Sequence, residues 1–192
     1  MMPAQLSFLD KGPPIPEGLE YRPGFLDAEE ERELAERFRT LPFREFEFQG
    51  FLGKRRTVSF GWHYAFDGSG LRDAEPIPDF LMPARRKAAL FAGAGAEALQ
   101  HALIVEYAPG AGIGWHRDRP VFGDVVGISL LAPARIRFRR KQGEKWERAA
   151  LMAQPRSAYL LTGPARGEWE HSIPPLEELR YSITFRTLRD GN

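Results

Sequence analysis

After Gln100 the chain breaks into short apolar segments divided by turn residues, and this texture limits the fold more than any other feature. "HALIVEY", "VVGISLL", "RIRFRR", "SAYLLT" and "RYSITFR" are each of strand length and rich in β-branched and aromatic residues. Strands this short and this dense predict an antiparallel sandwich or barrel rather than alternating β-α units. Ahead of them, "FLDAEEERELAERFRTL" predicts a helix. Asp27 can cap it, Glu30 completes a capping box, and the acids Glu29 to Glu31 suit the positive helix end. Leu34, Phe38 and Leu41 recur at i, i+4 and i+7 and are expected to face a core. A second, less regular helix is expected within "PDFLMPARRKAALFAGAG", packed on the back of a sheet.

The 192 residues suit one domain. Within it, residues 1–20 are rich in Pro and Gly and predict an extended surface arm. Residues 21–100 form an α/β region, and residues 101–192 a β core. No cysteine is present, which excludes disulfide frameworks, zinc-thiolate sites, iron–sulfur clusters and cysteine nucleophiles together. A formal net charge of +1 gives no global field, so any polyanion-binding surface must be local. The first residues lack a basic region followed by a long apolar run, and no apolar stretch reaches spanning length. A soluble cytoplasmic monomer is expected, with no membrane and no obligate protein partner.

The chemistry concentrates in three places. His116 and Asp118 follow a loop rich in Gly and Pro, "YAPGAGIG". His171 lies in "EWEHSIPP", and Arg180 and Arg186 lie in "RYSITFR". A His-x-Asp tripeptide alone recurs by chance, so the argument rests on the combination. Two imidazoles and one carboxylate on one side of a metal leave neighbouring positions open, which suits non-haem Fe(II). Residues i and i+2 of a strand project to one side, so His116 and Asp118 can converge, with His171 supplied from a distant strand. Arg180 and Arg186 are an even number apart and share a face with Ser182 and Thr184; Tyr181, Ile183 and Phe185 point the other way. Two arginines facing into a β core need anions to meet them, and a dicarboxylate supplies these in the geometry a guanidinium prefers. A kinase reading of "HRD" fails, because the Asn expected five residues after the Asp is Gly123.

"VEYAPGAGIGWHRD", "EWEHSI" and "RYSITFR" resemble the metal and co-substrate motifs of the AlkB family of Fe(II)/2-oxoglutarate dioxygenases. "KRRTVSFGWHYAF", Lys54 to Phe66, resembles that family's Arg-rich entry into its substrate-recognition region. The resemblance runs from about Arg55 to Arg186. It implies a mostly β fold, the double-stranded β-helix or jelly roll, flanked by helices and an N-terminal substrate-recognition region. It implies His116, Asp118 and His171 as iron ligands. Arg180 would take the distal carboxylate of 2-oxoglutarate, Tyr107 and Ser182 would add hydrogen bonds, and Arg186 would close the metal side. Trp115 and Arg117 would be packing and rim residues.

The implied reaction consumes O2 and 2-oxoglutarate, releases succinate and CO2, and removes an N-alkyl or etheno group from a DNA or RNA base as an aldehyde. Such a reaction serves repair of alkylation damage. Three positions depart from the family pattern. Val105 and Ser182 stand where many members have Asn. Pro120 stands where several base-repairing members have an acid, which keeps a protein side chain open as the alternative substrate. All five ligand positions are present, which disfavours a binding module with a decayed site. For nucleic acid, Trp62, His63 and Tyr64 offer stacking faces, Arg55 and Arg56 add charge, and Arg135, Arg137 and Arg139 alternate along "PARIRFRRK".

Overall fold

In the computed structural model of the chain, which describes residues 15–48, 51–65 and 70–189, the strands pair into two facing antiparallel sheets and a small hairpin. In chain order these are β1 (Leu19–Arg22), α1 (Ala28–Phe38), β2 (Arg44–Phe48), β3 (Phe51–Phe60), β4 (Trp62–Ala65), β5 (Gly70–Asp73), α2 (Met82–Phe91) and β6 (Leu99–Tyr107). There follow β7 (Ile113–His116), β8 (Phe122–Leu130), β9 (Ala134–Gln142), β10 (Lys145–Ala153), β11 (Ser157–Leu161), α3 (Gly163–Gly167), β12 (Glu170–Ile173) and β13 (Arg180–Leu188). The larger sheet has the order β1-β11-β8-β13-β6-β3-β2, the smaller β10-β9-β12-β7, and β4 pairs with β5. This is the jelly-roll winding the sequence implied.

Alternation along the strands sorts two cores. One face of the large sheet buries Ile104, Val126, Ile128, Ile183 and Phe185 against Leu34 and Phe38 of α1 and Ala84 and Ala88 of α2. Asp27 caps α1 through the reciprocal box with Glu30, as its sequence predicts, and Leu41 packs against the same core. The other face meets the small sheet, where Val105, Tyr107, Val125 and Tyr159 oppose Ile136, Phe138 and Ile173. The functional side chains project into this inter-sheet layer.

Several elements differ from expectation: β2 and β3, from the region expected to flank the core, extend its large sheet through pairing of β3 with β6. Leu19–Arg22 is an edge strand paired with β11, so the end of the expected arm is part of the sheet; residues 1–14 of that arm lie outside the described residues. "KWERAALMA" carried no strand expectation, yet it pairs residue for residue with β9 across a two-residue turn. Its Ala, Leu and Glu content has little β preference, and the partner strand overrides it.

Candidate active site

Three strands and one loop bring the site together. β7 ends on His116, and His171 of β12 is its cross-strand partner in the small sheet, with ring centroids 4.3 Å apart. Asp118 lies just past the end of β7, so strand alternation alone does not aim it. Its position comes from partners. Arg186 of β13 donates from Nε and Nη2 to Asp118 Oδ1 at 3.0 and 2.8 Å. Arg166 of α3, buried, donates to the backbone carbonyls of Arg119, Phe122 and Gly123 at 2.7 Å each and reaches that of Asp118 at 3.4 Å. One guanidinium thus holds the whole turn that carries the carboxylate. The loop before β7 is tied down by Gly110, which has φ +83° and donates its N–H to the Leu176 carbonyl at 2.7 Å.

The donor chemistry fits a divalent metal. His116 Nδ1 lies 2.9 Å from the Gly114 carbonyl. A carbonyl only accepts, so that nitrogen carries the proton and Nε2 keeps its lone pair for a metal. His171 Nε2 stands 3.8 Å from Asp118 Oδ2. Among the described residues the three side chains are gathered but not drawn into a closed ligand set. The electrostatics favour cation binding. Burial pushes His171 down to about 3, His116 adding to the shift and Asp118 opposing it. Burial likewise lowers His116 and, with Arg186, His101. Burial alone would raise Asp118, but Arg186, His171, His116 and Arg166 hold its carboxyl well below the usual range. Two neutral imidazoles and an ionised carboxylate are what a metal needs of its ligands.

These shifts have a stability consequence. An unfolded imidazole titrates near 6.5, so below that pH the unfolded chain takes up a proton that the folded site refuses. The stability is fully present above about 6.5 and is lost as pH falls towards 3; Asp118 adds a further loss below about 3.9. We expect the ligand-free chain to lose about 1.4 kcal/mol per pH unit between pH 6 and 4 through His171. Urea titrations at pH 5 and 7 check this, and His171→Gln should reduce the difference by one proton's worth.

The same inter-sheet layer also holds an unmet charge. Arg180 is fully buried. Its Nε donates to Ser129 Oγ at 3.0 Å and its guanidinium lies 5.1 Å from the Tyr107 ring centroid, but Nη1 and Nη2 are buried with no partner among the described residues. Two such donors fit a carboxylate that reaches them. Tyr107 is the cross-strand partner of Arg180, and Ser182 is buried on the same face between Val105 and Ser129.

Sequence reasoning missed four participants: Ser129, His101, Arg166 and Tyr159. His101 offers Nδ1 to Arg186 Nη1 at 3.2 Å and stacks on Phe122, bracing the arginine that holds Asp118. Tyr159 is buried in the inter-sheet layer, where Arg180, Tyr107, Asp118 and Arg186 all act on its phenol; burial raises it to about 12, so it stays a proton donor. Its ring lies over Gly127, where a Cβ would stand 2.2 Å from Cζ and 2.4 Å from the hydroxyl oxygen. Gly127→Ala must therefore displace the ring. We expect a loss of about 1–3 kcal/mol in stability and a several-fold higher 2-oxoglutarate requirement, read from urea unfolding and from succinate formation against co-substrate concentration. Ser129, Tyr159 and Arg166 sit in no recognisable pattern; His101 had only the signal of being one of four histidines.

The residues expected at the nucleic acid divide. Arg55 projects inward, partly buried, and its charge acts on Tyr107 and His116. Arg56 turns to the other face of the sheet and pairs with Glu106 at 2.7 Å, so it does not reach the site. The reason is strand alternation: adjacent residues cannot both point inward. Trp62 and His63 lie on the β4–β5 hairpin, and the charge of His63 is felt at His101. Tyr64 is on the same strand, its side chain outside the described residues. Arg135, Arg137 and Arg139 face away from His116 and His171, on the reverse of the sheet whose inner face carries Phe138 and His171. Trp115 shares that reverse face, under the guanidinium groups of Arg137 and Arg139. Arg117 is exposed, its Nη1 3.5 Å from the Gly167 carbonyl.

Comparison with known proteins agrees with this geometry. The model of the 2OG-Fe(II) oxygenase superfamily matches residues 18–186. The chain is 28% identical to the Alkylated DNA repair protein ALKBH8 homolog of Arabidopsis thaliana over 72% of its length and 47% of that protein's. It is 32% identical to the mitochondrial Alpha-ketoglutarate-dependent dioxygenase alkB homolog 7 of Bos taurus, over 88% of this chain and 78% of that one. The chain spans about half the length of the first curated relatives it matches. Its fold superposes on the structure of OsALKBH1 with a TM-score of 0.67 at 16% identity, covering 88% of this chain and 96% of that chain. No helix among the described residues is long and apolar enough to cross a membrane. The chain belongs to the 2OG-Fe(II) oxygenase superfamily, as an AlkB-like member that works with Fe(II), 2-oxoglutarate and O2.

Proposed function

We propose that this single-domain chain oxidatively removes N-alkyl or etheno groups from bases of DNA or RNA, using His116, Asp118 and His171 for iron and Arg180 for the distal carboxylate of 2-oxoglutarate. The observation that carries the reading is the pair of buried Arg180 donors without a partner among the described residues, in the layer where Arg180 and Asp118 both act on Tyr159. Bound Fe(II) and 2-oxoglutarate would supply the activation of O2 that hydroxylates an otherwise inert C–H bond. The chain's own residues do the rest. Arg180, over Tyr107, fixes one end of the co-substrate; Tyr159 and Tyr107 donate hydrogen bonds to it; Ser182 lines its wall. Arg186, braced by His101, keeps Asp118 ionised and aimed.

For the substrate, Arg55 contributes charge at the inner face, and Trp62 and His63 stand on the hairpin beside it, a cation and flat rings for a base taken out of its stack. The name of the Arabidopsis thaliana relative points the same way. A protein side chain is the second reading, favoured by Pro120, which is exposed in the turn after Asp118 and presents no acid to a base amine.

The test is anaerobic loading with Fe(II) and 2-oxoglutarate, then air, over a panel of methylated and etheno-bridged oligonucleotides read by mass spectrometry. Loss of the alkyl mass with matching succinate supports the reading. Succinate with every oligonucleotide unchanged rejects the nucleic-acid half and directs the search to proteins.

A further inference from the structure

The reverse of the small sheet carries a concentration of charge that the site does not use. Alternation places Arg135, Arg137, Arg139 and Lys141 of β9 and Arg148 of β10 on that face, against one carboxylate, Glu170 of β12. Five cations against one anion is a steep local excess on a chain whose formal net charge is +1. Two tryptophans lie among them. The Arg139 guanidinium is 4.4 Å from the ring centroids of both Trp115 and Trp146, and that of Arg137 is 5.1 Å from Trp115. Arg139 also holds Glu170 at 2.6 Å and Arg137 donates to Ser172 at 3.1 Å, so the middle of the stripe is ordered before any ligand arrives. Arg135, Lys141 and Arg148 differ: they are exposed, and among the described residues no hydrogen bond or ion pair engages them.

We propose that this reverse face is a docking surface for single-stranded nucleic acid. The cations of β9 repeat about every 6.8 Å along one line, so they can follow a single phosphate chain. The 41% exposed ring of Trp146 gives a flat face on which a base can stack. A flat sheet enters neither duplex groove as a helix does, which favours an open strand over a duplex. β7 is the edge of this sheet, with His116 on its inner side and Trp115 on its outer side, so one strand can bend round that edge from docking face to site. The proposal rests on the nucleic-acid reading of the site for its choice of occupant; its geometry is independent.

The experiment measures binding rather than turnover. Fluorescein-labelled, unmodified oligouridylate is titrated with the chain at several salt concentrations. The variant combines Arg135→Gln, Lys141→Gln and Arg148→Gln, whose loss breaks no described contact, and its succinate formation without nucleic acid reports that it folds. We expect affinity to fall at least tenfold and the log–log salt slope to fall by about 2. Trp146→Ala should weaken binding about tenfold with the slope unchanged. Parent-like affinity and slope in the triple variant overturn the proposal. Equal losses on phosphatidylserine vesicles and on polyglutamate, indifferent to Trp146, overturn the occupant. Binding that depends on the three cations, with no modified base ever converted, leaves the surface standing and removes the dealkylase reading. Conversion by a triple variant that binds like the parent does the reverse.

Discussion

Arg180→Met is expected to abolish the thermal stabilisation that 2-oxoglutarate gives the chain, while leaving the ligand-free protein as stable as the parent or more so. Arg180 is fully buried and, among the described residues, two of its three guanidinium nitrogens have no partner. The folded protein therefore carries a desolvated cation whose compensation arrives only with a carboxylate. Methionine fills a similar volume without that cost, and replacing buried charge by a well-packed apolar group is commonly neutral or stabilising. The parent, at 2-oxoglutarate a hundred times its Kd, should gain about 2.7 kcal/mol, or about 5–10 °C for a chain of this length. The variant should gain nothing. Thermal melts with and without the co-substrate and a metal decide it; an unchanged shift in the variant means that the carboxylate is held elsewhere. Arg180→Ala would mix this effect with a cavity, so methionine is the cleaner substitution.

The second large effect separates two residues that the sequence treats alike. His116→Ala is expected to reduce succinate formation by at least a thousandfold with little change in stability, because its ring makes one hydrogen bond, to the nearby Gly114 carbonyl. Asp118→Ala is expected to lose activity to the same extent and also to lose about 3–5 kcal/mol of stability. It strands Arg186, which is buried and pairs twice with that carboxylate, and it removes the anion that faces Arg166 and His171. Succinate assays and urea unfolding of both variants read the two effects separately. Residual turnover in His116→Ala would remove His116 from the metal; equal stability of the two variants would remove the ion pair from the account of Asp118.

The parts of the site legible in the sequence were those that depend on local spacing. Arg180 and Arg186 share an inward face because strand parity is local, and the same parity separates Arg55 from Arg56, of which only the first turns inward. Parity also runs through Arg135, Arg137 and Arg139, but it gives no sign of which side of the sheet they take. That depends on which face of β9 meets the large sheet, and Ile136 and Phe138 settle it by burying themselves. Asp118 shows the limit differently. Spacing put it near His116, yet it lies beyond the end of β7 and is held there by arginines from 48 and 68 residues later in the chain.

Sequence by itself determined the capped α1, the density of strands, the His-x-Asp and Arg-x5-Arg spacings and the family, because caps, periodicity and motif spacing are written in neighbouring residues. Only the tertiary structure decided that Tyr159, Arg166 and His101 belong to the site, that Lys145–Ala153 is a strand, and that five cations gather behind the site. These follow from which strands lie side by side, and pairing across tens of residues is chosen by the burial of whole faces, a collective balance that no single segment encodes.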